Sequence, residues 1–243
     1  MTSLALVRHG QSEWNKQFRF SGWSATGLSE KGVEQSEAAG RLLQREGFCF
    51  DICFTSVLER GCASAAAVLR GMETPDLPVE ESWRLNERHF GALQGLGRLE
   101  AVRRYGLMRV LRLQASYTDV PPPLDVRDPR YAAHDPLFAG LTEKEIPKSE
   151  SLADTYARVI PYWQEAIVPH LKAQRSVLVV GHKNSLRVLA QRIESLADEA
   201  VPKLRLMTGA PLVYHFDDDL NLLGHGFLEP QPRFNRWAGL SPA

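Results

Sequence analysis

The chain has 243 residues, of which 44% are hydrophobic and 24% are charged, a balance typical of a globular protein. Its 29 basic and 29 acidic residues cancel, which argues against a nucleic-acid-binding protein with a broad basic surface. No apolar run approaches the roughly 18 residues of a membrane helix, and the first apolar stretch stops at Arg8, so neither a membrane span nor a signal peptide is expected. Three cysteines (Cys49, Cys53 and Cys62) lack C-x-x-C spacing and are interpreted as reduced thiols, which favours a cytoplasmic location.

The hydrophobic pattern predicts the following elements in chain order: a strand at 3–7, a helix at 29–46, a strand at 51–54 followed by a helix, a helix at 151–172, a strand at 176–180 followed by a helix, and strands at 210–216 and 220–227. Ser29 is the expected N-cap of the helix at 29–46, and Pro161 and Pro169 should kink or split the helix at 151–172. Because apolar strands alternate with helices, the pattern predicts an α/β fold with a mostly parallel central sheet flanked by helices on both faces. The last two strands are expected at the sheet edge.

Six prolines interrupt residues 117–148, which predicts a long irregular segment there. Loops of this length inside a compact domain are usually lids or disordered inserts, and we interpret this one as a cap over the carboxyl ends of the strands. The pattern does not require a second domain, so we expect a single domain over residues 1–230. Residues 231–243 are expected to form a poorly anchored tail.

Four side chains suited to phosphate chemistry follow the predicted parallel strands: Arg8, His9, Arg60 and His182. Since ligands of such sheets bind outside the carboxyl ends of the strands, we expect these four side chains to meet. Arginine guanidinium groups match phosphoryl oxygens, and Gly10 permits a turn whose N–H groups can face an anion. Because the sequence has no carboxylate cluster with metal-ligand spacing, this set predicts a phosphate pocket without a metal.

His9 is the candidate nucleophile of this pocket. A neutral imidazole nitrogen can accept a phosphoryl group to give a phosphohistidine, and nearby cations favour the neutral form. Glu87 is the candidate donor of a proton to the leaving alkoxide; the alternative is an ion pair with Arg84 or Arg88. For His9 itself the alternative is a structural histidine with satisfied hydrogen bonds.

The helix that follows His182 provides a second anion-binding feature. The N-terminus of a helix attracts anions, and Asn184 or Ser185 is the expected N-cap of this one.

Seven sequence blocks carry a family resemblance: LVRHGQSEWN (6–15), FSGW (20–23), LSEKG (28–32), TSVLER (55–60), LNERHFGALQGL (85–96), ESLADTYARVIPYW (150–163) and GHKNSLR (181–187). They closely resemble the corresponding blocks of the cofactor-dependent phosphoglycerate mutases, which belong to the histidine phosphatase superfamily. The R-H-G signature marks only the superfamily. The block at 85–96 and the V-I-P-Y-W segment indicate the mutase branch.

The resemblance implies interconversion of 3- and 2-phosphoglycerate through a phosphohistidine, without a metal and primed by 2,3-bisphosphoglycerate. It also implies a homo-oligomer, either a dimer or a tetramer. His9 would carry the phosphate, with Arg8, Arg60 and His182 around it and Glu87 as acid and base. The resemblance further assigns substrate contacts to these positions: Asn15, Ser21, Gly22, Arg88, His89, Phe90, Arg98 and Asn184.

The sequence departs from the mutase pattern at three places. Gln114 and Ala115 stand where the family has an arginine pair that binds the distal anionic end of the substrate. Lys183 replaces a usual glycine, which would cost on the order of 1 kcal/mol if that backbone needed a positive φ. The tail after Phe227 also differs from the family's lysine-bearing tail. We hypothesise that Lys183 contacts the substrate and partly replaces the lost arginine pair.

The residues therefore support three hypotheses about function, all involving a small phosphoester and neither nucleic acid nor a membrane. The leading one is a phosphoglycerate mutase. The alternative is a phosphohistidine-type phosphatase acting on a small phosphomonoester, because a phosphatase needs only the inner pocket and lets water attack the same phosphohistidine. The third is a catalytically inactive relative that binds a phosphoester or a partner, against which the complete set His9, Arg8, Arg60, Glu87 and His182 argues.

Overall fold

A six-stranded sheet forms the centre of the computed structural model, which describes residues 2–228. The strands are β1 (Thr2–Arg8), β2 (Ile52–Thr55), β3 (Val79–Glu81), β4 (Val177–Gly181), β5 (Leu212–Phe216) and β6 (Leu222–Phe227). Their order is β3-β2-β4-β1-β5-β6; the first four are parallel, and β5 and β6 form an antiparallel hairpin at one edge. The mostly parallel sheet and its edge hairpin confirm the prediction. The short strand β3, at the other edge, was not predicted.

Eight α-helices of the described residues surround this sheet: α1 (Glu13–Lys16), α2 (Glu30–Arg45), α3 (Glu59–Gly71), α4 (Arg98–Tyr105), α5 (Leu107–Ala115), α6 (Leu152–Tyr162), α7 (Val168–Lys172) and α8 (Lys183–Glu194). Ser29 caps α2 as predicted, because its side chain accepts a hydrogen bond from the N–H of Gly32. The predicted helix at 151–172 is divided into α6, a π-helical turn and α7. Pro161 lies in α6 and Pro169 lies in α7.

Both faces of the sheet are covered, and the alternation of side chains along β1 shows how. Leu4 and Leu6 point to the face that packs against α6 and α8. Ala5 and Val7 point to the opposite face, which packs against α2 and α3. All four side chains are at most 1% exposed. The central strands are apolar on both faces because helices bury both, as expected for parallel strands.

The close packing of α2 against α3 depends on Gly40. A methyl group at this position would overlap the carbonyl oxygen of Val68 on α3. Replacing a helical glycine by alanine usually stabilises a helix by roughly 0.5–1 kcal/mol, but here the steric overlap outweighs that gain. We therefore expect Gly40→Ala to lower the free energy of unfolding by about 1–3 kcal/mol, measured by urea denaturation.

Gly140→Ala is the matched control for this prediction, because a methyl group on Gly140 would meet no heavy atom within 4 Å. Its free energy of unfolding should stay within about 0.5 kcal/mol of the parent value. A Gly40→Ala variant as stable as the control would contradict the packing argument.

The proline-rich segment 117–148 packs beside the carboxyl edge of the sheet. Leu124, Tyr131 and Phe138 of this segment form an apolar cluster with Trp23 and Leu58, which lie beyond the ends of β1 and β2. Two 3₁₀ turns occur in it.

The predicted tail at 231–243 lies outside the described residues. Within residues 2–228, no helix is both long and apolar enough to cross a membrane.

Candidate active site

A cavity of about 130 Å³ lies at the carboxyl edge of the sheet, where β1 and β4 end. All of the predicted site residues except His89 and His182 line this cavity, as residues 2–228 form it. Pockets for drug-sized ligands usually measure roughly 300–1,000 Å³, so this cavity suits a small ligand. No residue of 117–148 lines it within the described chain; α4 and α5 contribute Arg98, Leu113 and Gln114 instead.

His9 follows β1 directly and is held by backbone contacts on both sides. Its N–H donates to the carbonyl of Gly181 at 2.9 Å, which continues the pairing of β1 with β4. Its Nδ1 lies 2.7 Å from the carbonyl oxygen of Gly10. Because a carbonyl oxygen can only accept, Nδ1 carries the proton and Nε2 keeps its lone pair. The ring is therefore oriented as a nucleophile through Nε2.

The surroundings keep this imidazole neutral. The side chain of His9 is only 4% exposed, and burial holds its pKa well below the usual value of 6.5, with Arg60 and Arg8 adding to the shift. Gly10 serves a different purpose from the predicted turn. A side chain there would overlap the backbone of Gly32, so glycine allows α2 to approach the end of β1 closely.

His182 lies beside His9, with 4.9 Å between the ring centroids. The hydroxyl of Ser56 is 2.7 Å from its Nε2, and the same oxygen accepts a hydrogen bond from the N–H of Leu58. The Nδ1 of His182 is buried and has no hydrogen-bond partner among the described residues. In the tautomer in which Ser56 donates to Nε2, this Nδ1 carries the ring proton and is a donor beside the nucleophile that suits a bound anion.

The N-cap of α8 differs from the prediction. His182 itself occupies the cap position, and Ser185, three residues later, accepts a hydrogen bond from its backbone N–H at 3.2 Å. The N–H of Asn184 is thereby left for Glu87, whose carboxylate it meets at 3.0 Å.

Three arginines of the cavity are held by backbone carbonyls. Arg60, 1% exposed, donates to the carbonyls of Gly22 at 2.6 Å and Ser24 at 3.2 Å. Arg8 donates to the carbonyl of Leu206, and Arg88 to the carbonyl of Leu113. None of these three guanidinium groups forms a salt bridge within residues 2–228. Neutral carbonyls fix their positions but leave their charges available to an anion.

Glu87 is the carboxylate among these cations. Its Oε1 accepts hydrogen bonds from the N–H groups of Arg88 at 2.8 Å and Asn184 at 3.0 Å, so it connects the loop before α4 to the start of α8. The alternative ion pair with Arg84 does not form, because Arg84 contacts Glu165 at 2.9 Å. Arg88 bonds Glu87 through its backbone and not through its guanidinium group. Glu87 therefore remains a candidate acid.

A second group of cations lines the cavity: Arg19, Arg98, Lys183 and Arg187. Arg187 and Arg19 were not predicted, although Arg187 lies four residues after Lys183 and so on the same face of α8. Burial lowers the pKa of Lys183 to about 8, and Arg187 adds to that shift. The backbone of Lys183 is helical, so the predicted cost of a positive φ does not arise.

The two positions of the missing arginine pair differ in their surroundings. Gln114 lines the cavity, whereas Ala115 lines a separate groove on the outer side of α5. Within the described chain, only position 114 therefore faces the site, and its side chain is neutral.

His89 lies beneath the site and does not line the cavity that residues 2–228 form. It is 0% exposed, its Nδ1 accepts a hydrogen bond from the N–H of Gly91, and its ring packs edge-on against Trp23. Burial lowers the pKa of His89 to about 3, with a smaller contribution from Arg158. His89 therefore supports the loop that carries Glu87.

The three buried histidines His9, His89 and His182 predict how stability depends on pH. In each, burial is the main cause of a lowered pKa. Below about pH 6.5 the unfolded chain takes up protons that the folded imidazoles do not. The free energy of unfolding should therefore fall on acidification, by about 1.4 kcal/mol per pH unit for each such histidine. Urea denaturation at pH 7.5 and 5.5 measures this; equal stability at both values would contradict it.

The model of the histidine phosphatase superfamily (branch 1) matches the chain over two overlapping segments, residues 4–127 and 124–224.

Solved structures with a similar fold come from several bacteria. The mycobacterial glucosyl-3-phosphoglycerate phosphatase is 25% identical, with a TM-score of 0.67 over 88% of this chain and 93% of that chain. A putative alpha-ribazole-5'-P phosphatase from Escherichia coli is 22% identical, with a TM-score of 0.69 over 93% and 94%. YhfR from Bacillus stearothermophilus is 21% identical, with a TM-score of 0.69 over 91% and 94%. These likenesses confirm the predicted α/β fold.

The family model spans nearly all of the described residues, and both the R-H-G signature at the end of β1 and His182 at the end of β4 lie within its matches. The chain belongs to branch 1 of the histidine phosphatase superfamily.

Proposed function

We propose that the protein is a phosphoglycerate mutase, which moves a phosphoryl group between the two hydroxyl oxygens of glycerate through phospho-His9. The observation that carries this proposal is the excess of positive charge in the cavity. Among residues 2–228, seven cationic side chains line it against one carboxylate, Glu87. A single phosphate needs fewer cations, so the cavity fits a small phosphomonoester with a second anionic group.

The reaction follows from the orientation of the side chains. In the primed protein a free hydroxyl of the monophosphoglycerate attacks phospho-His9, the P–N bond breaks, and the Glu87 carboxylate takes the proton of that hydroxyl. Nε2 of His9 then attacks the other phosphorus of the bisphosphorylated intermediate, a P–N bond forms, and the bond from that phosphorus to its oxygen breaks. Glu87 gives the proton to that oxygen, which leaves as an alcohol. Arg8 and Arg60 stabilise the charge on the transferring group throughout.

The residues also fit the primer 2,3-bisphosphoglycerate, which would supply the phosphoryl group that first loads His9. Arg8 and Arg60 would hold the phosphate next to His9. Arg98 and Lys183 would hold the outer anionic groups. The fit rests on guanidinium groups that carbonyls position without neutralising.

A phosphatase is the second candidate function, and a specific observation favours it. Gln114 places a neutral amide at the cavity wall where the mutases have an arginine. A weaker hold on the distal anionic group would let the intermediate leave and admit water to phospho-His9. The similarity to the mycobacterial glucosyl-3-phosphoglycerate phosphatase agrees with this chemistry.

One assay separates the two candidates. The protein is incubated with 3-phosphoglycerate, with and without 2,3-bisphosphoglycerate, and both 2-phosphoglycerate and free phosphate are followed. We expect isomerisation that depends on the primer. Release of phosphate without isomerisation would contradict the mutase proposal and support the phosphatase. If neither 2-phosphoglycerate nor free phosphate forms, both proposals are wrong. Gln114→Arg is the companion variant, and it should raise isomerisation relative to phosphate release.

The Lys183 hypothesis leads to a separate prediction. Lys183→Met should weaken binding of 2,3-bisphosphoglycerate more than tenfold, or about 1.4 kcal/mol, because a cation is lost from the cavity wall. Isothermal titration calorimetry at pH 7 measures the dissociation constant. In the parent protein the affinity should also fall above about pH 8, where Lys183 loses its proton, whereas Lys183→Arg should not show this fall. Lys172→Met, in α7, is the control, and an unchanged affinity in Lys183→Met would refute the hypothesis.

A further inference from the structure

Arg158, on α6, donates hydrogen bonds to the backbone of the loop that carries Glu87. Its Nη1 donates to the carbonyls of Trp83 at 3.3 Å, Arg84 at 2.8 Å and Asn86 at 3.2 Å. Its Nη2 donates to the carbonyl of Glu87 itself at 3.3 Å. The Arg158 side chain is 7% exposed, so these bonds are shielded from water.

A buried carboxylate holds Arg158 in this position. Glu150 accepts from the Nε of Arg158 at 2.7 Å and from its Nη2 at 2.9 Å, the two-bond geometry that suits a guanidinium fork. Glu150 also accepts the N–H of His89 at 2.8 Å, and its own N–H donates to the carbonyl of His89. The ion pair therefore forms hydrogen bonds with the backbone both before and after Glu87.

Trp23 completes the support. The Arg158 guanidinium group lies 5.4 Å from its indole ring, and the indole N–H donates to the Glu87 carbonyl at 2.7 Å. Residues 86–90 are neither helix nor strand. The position of the Glu87 carboxylate therefore depends on these side-chain bonds and not on a regular backbone ladder.

We propose that Arg158, clamped by Glu150, is a positioning residue that holds Glu87 where it can protonate the leaving oxygen. Arg158 does not itself line the cavity formed by residues 2–228, so it acts through Glu87. The proposal rests on the proposed function, because it needs Glu87 as the acid in phosphorylation of His9. As the bond from phosphorus to oxygen breaks and the P–N bond forms, the Glu87 proton passes to the departing oxygen.

The dependence of the phosphorylation rate on the leaving group distinguishes a misplaced acid from a general loss of structure. An alkyl phosphate such as 2,3-bisphosphoglycerate must release a strongly basic alkoxide, so its reaction needs the proton. The aryl ester p-nitrophenyl phosphate releases a stabilised phenolate and needs little proton donation. Loss of acid positioning should therefore slow the first substrate selectively, whereas a merely structural defect should slow both equally.

The experiment measures single-turnover phosphorylation of His9 by both substrates in Arg158→Lys. Lysine keeps the charge but cannot reproduce the planar fork that spans four carbonyls and Glu150. We expect the rate with 2,3-bisphosphoglycerate to fall 10- to 100-fold and the rate with p-nitrophenyl phosphate to change less than threefold. Arg84→Lys is the matched control and should change neither rate, because its side chain contacts the surface residue Glu165.

Two further variants keep the outcomes distinguishable. Glu150→Gln should show the same selectivity more weakly, and it serves if Arg158→Lys fails to fold. Glu87→Gln is the reference: if it slows both substrates equally or neither, the acid assignment within the proposed function fails. If Glu87→Gln is selective but Arg158→Lys and Glu150→Gln are not, the positioning role alone is overturned.

Discussion

Replacing His9 by alanine is expected to lower kcat by about 10⁴-fold or more, because the only proposed nucleophile is removed. The ring is held with Nδ1 on the Gly10 carbonyl and with Nε2 left as the nucleophile. The cations around it can still bind substrate, so KM should change much less than kcat. Steady-state assays with 3-phosphoglycerate and with p-nitrophenyl phosphate measure both constants.

The control for this variant is His134→Ala, since His134 lies at an exposed position of the proline-rich segment. Its kcat should equal that of the parent protein. Urea denaturation establishes that His9→Ala is folded. Activity of folded His9→Ala within tenfold of the parent value would show that a different group carries out the transfer.

Glu87→Gln has the second largest expected effect, a fall in kcat of roughly 10²- to 10⁴-fold with 3-phosphoglycerate, as for the loss of a general acid. Glutamine keeps an oxygen that can accept the N–H groups of Arg88 and Asn184, so the loop geometry should persist. It cannot give a carboxyl proton to the leaving oxygen. Steady-state assays with 3-phosphoglycerate, primed with 2,3-bisphosphoglycerate, measure kcat.

Glu165→Gln is the matched control, because Glu165 is an exposed carboxylate that pairs with Arg84. Its kcat should be unchanged. A Glu87→Gln variant with parental kcat would mean that Glu87 only balances the charge of the arginines and donates no proton in the reaction.

The elements that the sequence predicts well are those whose burial is recorded in an apolar pattern. The strands β1 and β4 are continuous apolar runs because helices cover both of their faces. By contrast, β3 reads Val-Glu-Glu and all of its residues are exposed. Within residues 2–228 it pairs with β2 alone and contributes little to the core, so no hydrophobic pattern marks it.

The predicted site residues meet because of topology: side chains that follow separate parallel strands share one edge of the sheet. Residues that act through contacts distant in sequence were not predicted. Ser56 reaches His182 across 126 positions, and Arg158 reaches the Glu87 carbonyl across 71. No local spacing marks either pair, since the fold alone brings them together.

His89 and Arg187 show what a family motif leaves open. A motif names His89 beside Glu87 and Arg88, but it does not show that Trp23 covers the ring. Arg187 lies in the matched block GHKNSLR, and its side chain reaches the cavity wall one turn after Lys183. The packing of α8, and not the motif, therefore shows that the charge of Arg187 belongs to the site.

Direct detection of the phosphorylated residue tests the central claim most closely. The protein is mixed with 2,3-bisphosphoglycerate or p-nitrophenyl phosphate, quenched in alkali to preserve a phosphoramidate, and its peptides are analysed by mass spectrometry and ³¹P NMR. We expect a single phosphate on Nε2 of His9, formed and consumed at the rate of turnover. Turnover without any phosphorylated protein, or with the phosphate on another residue, would contradict the account.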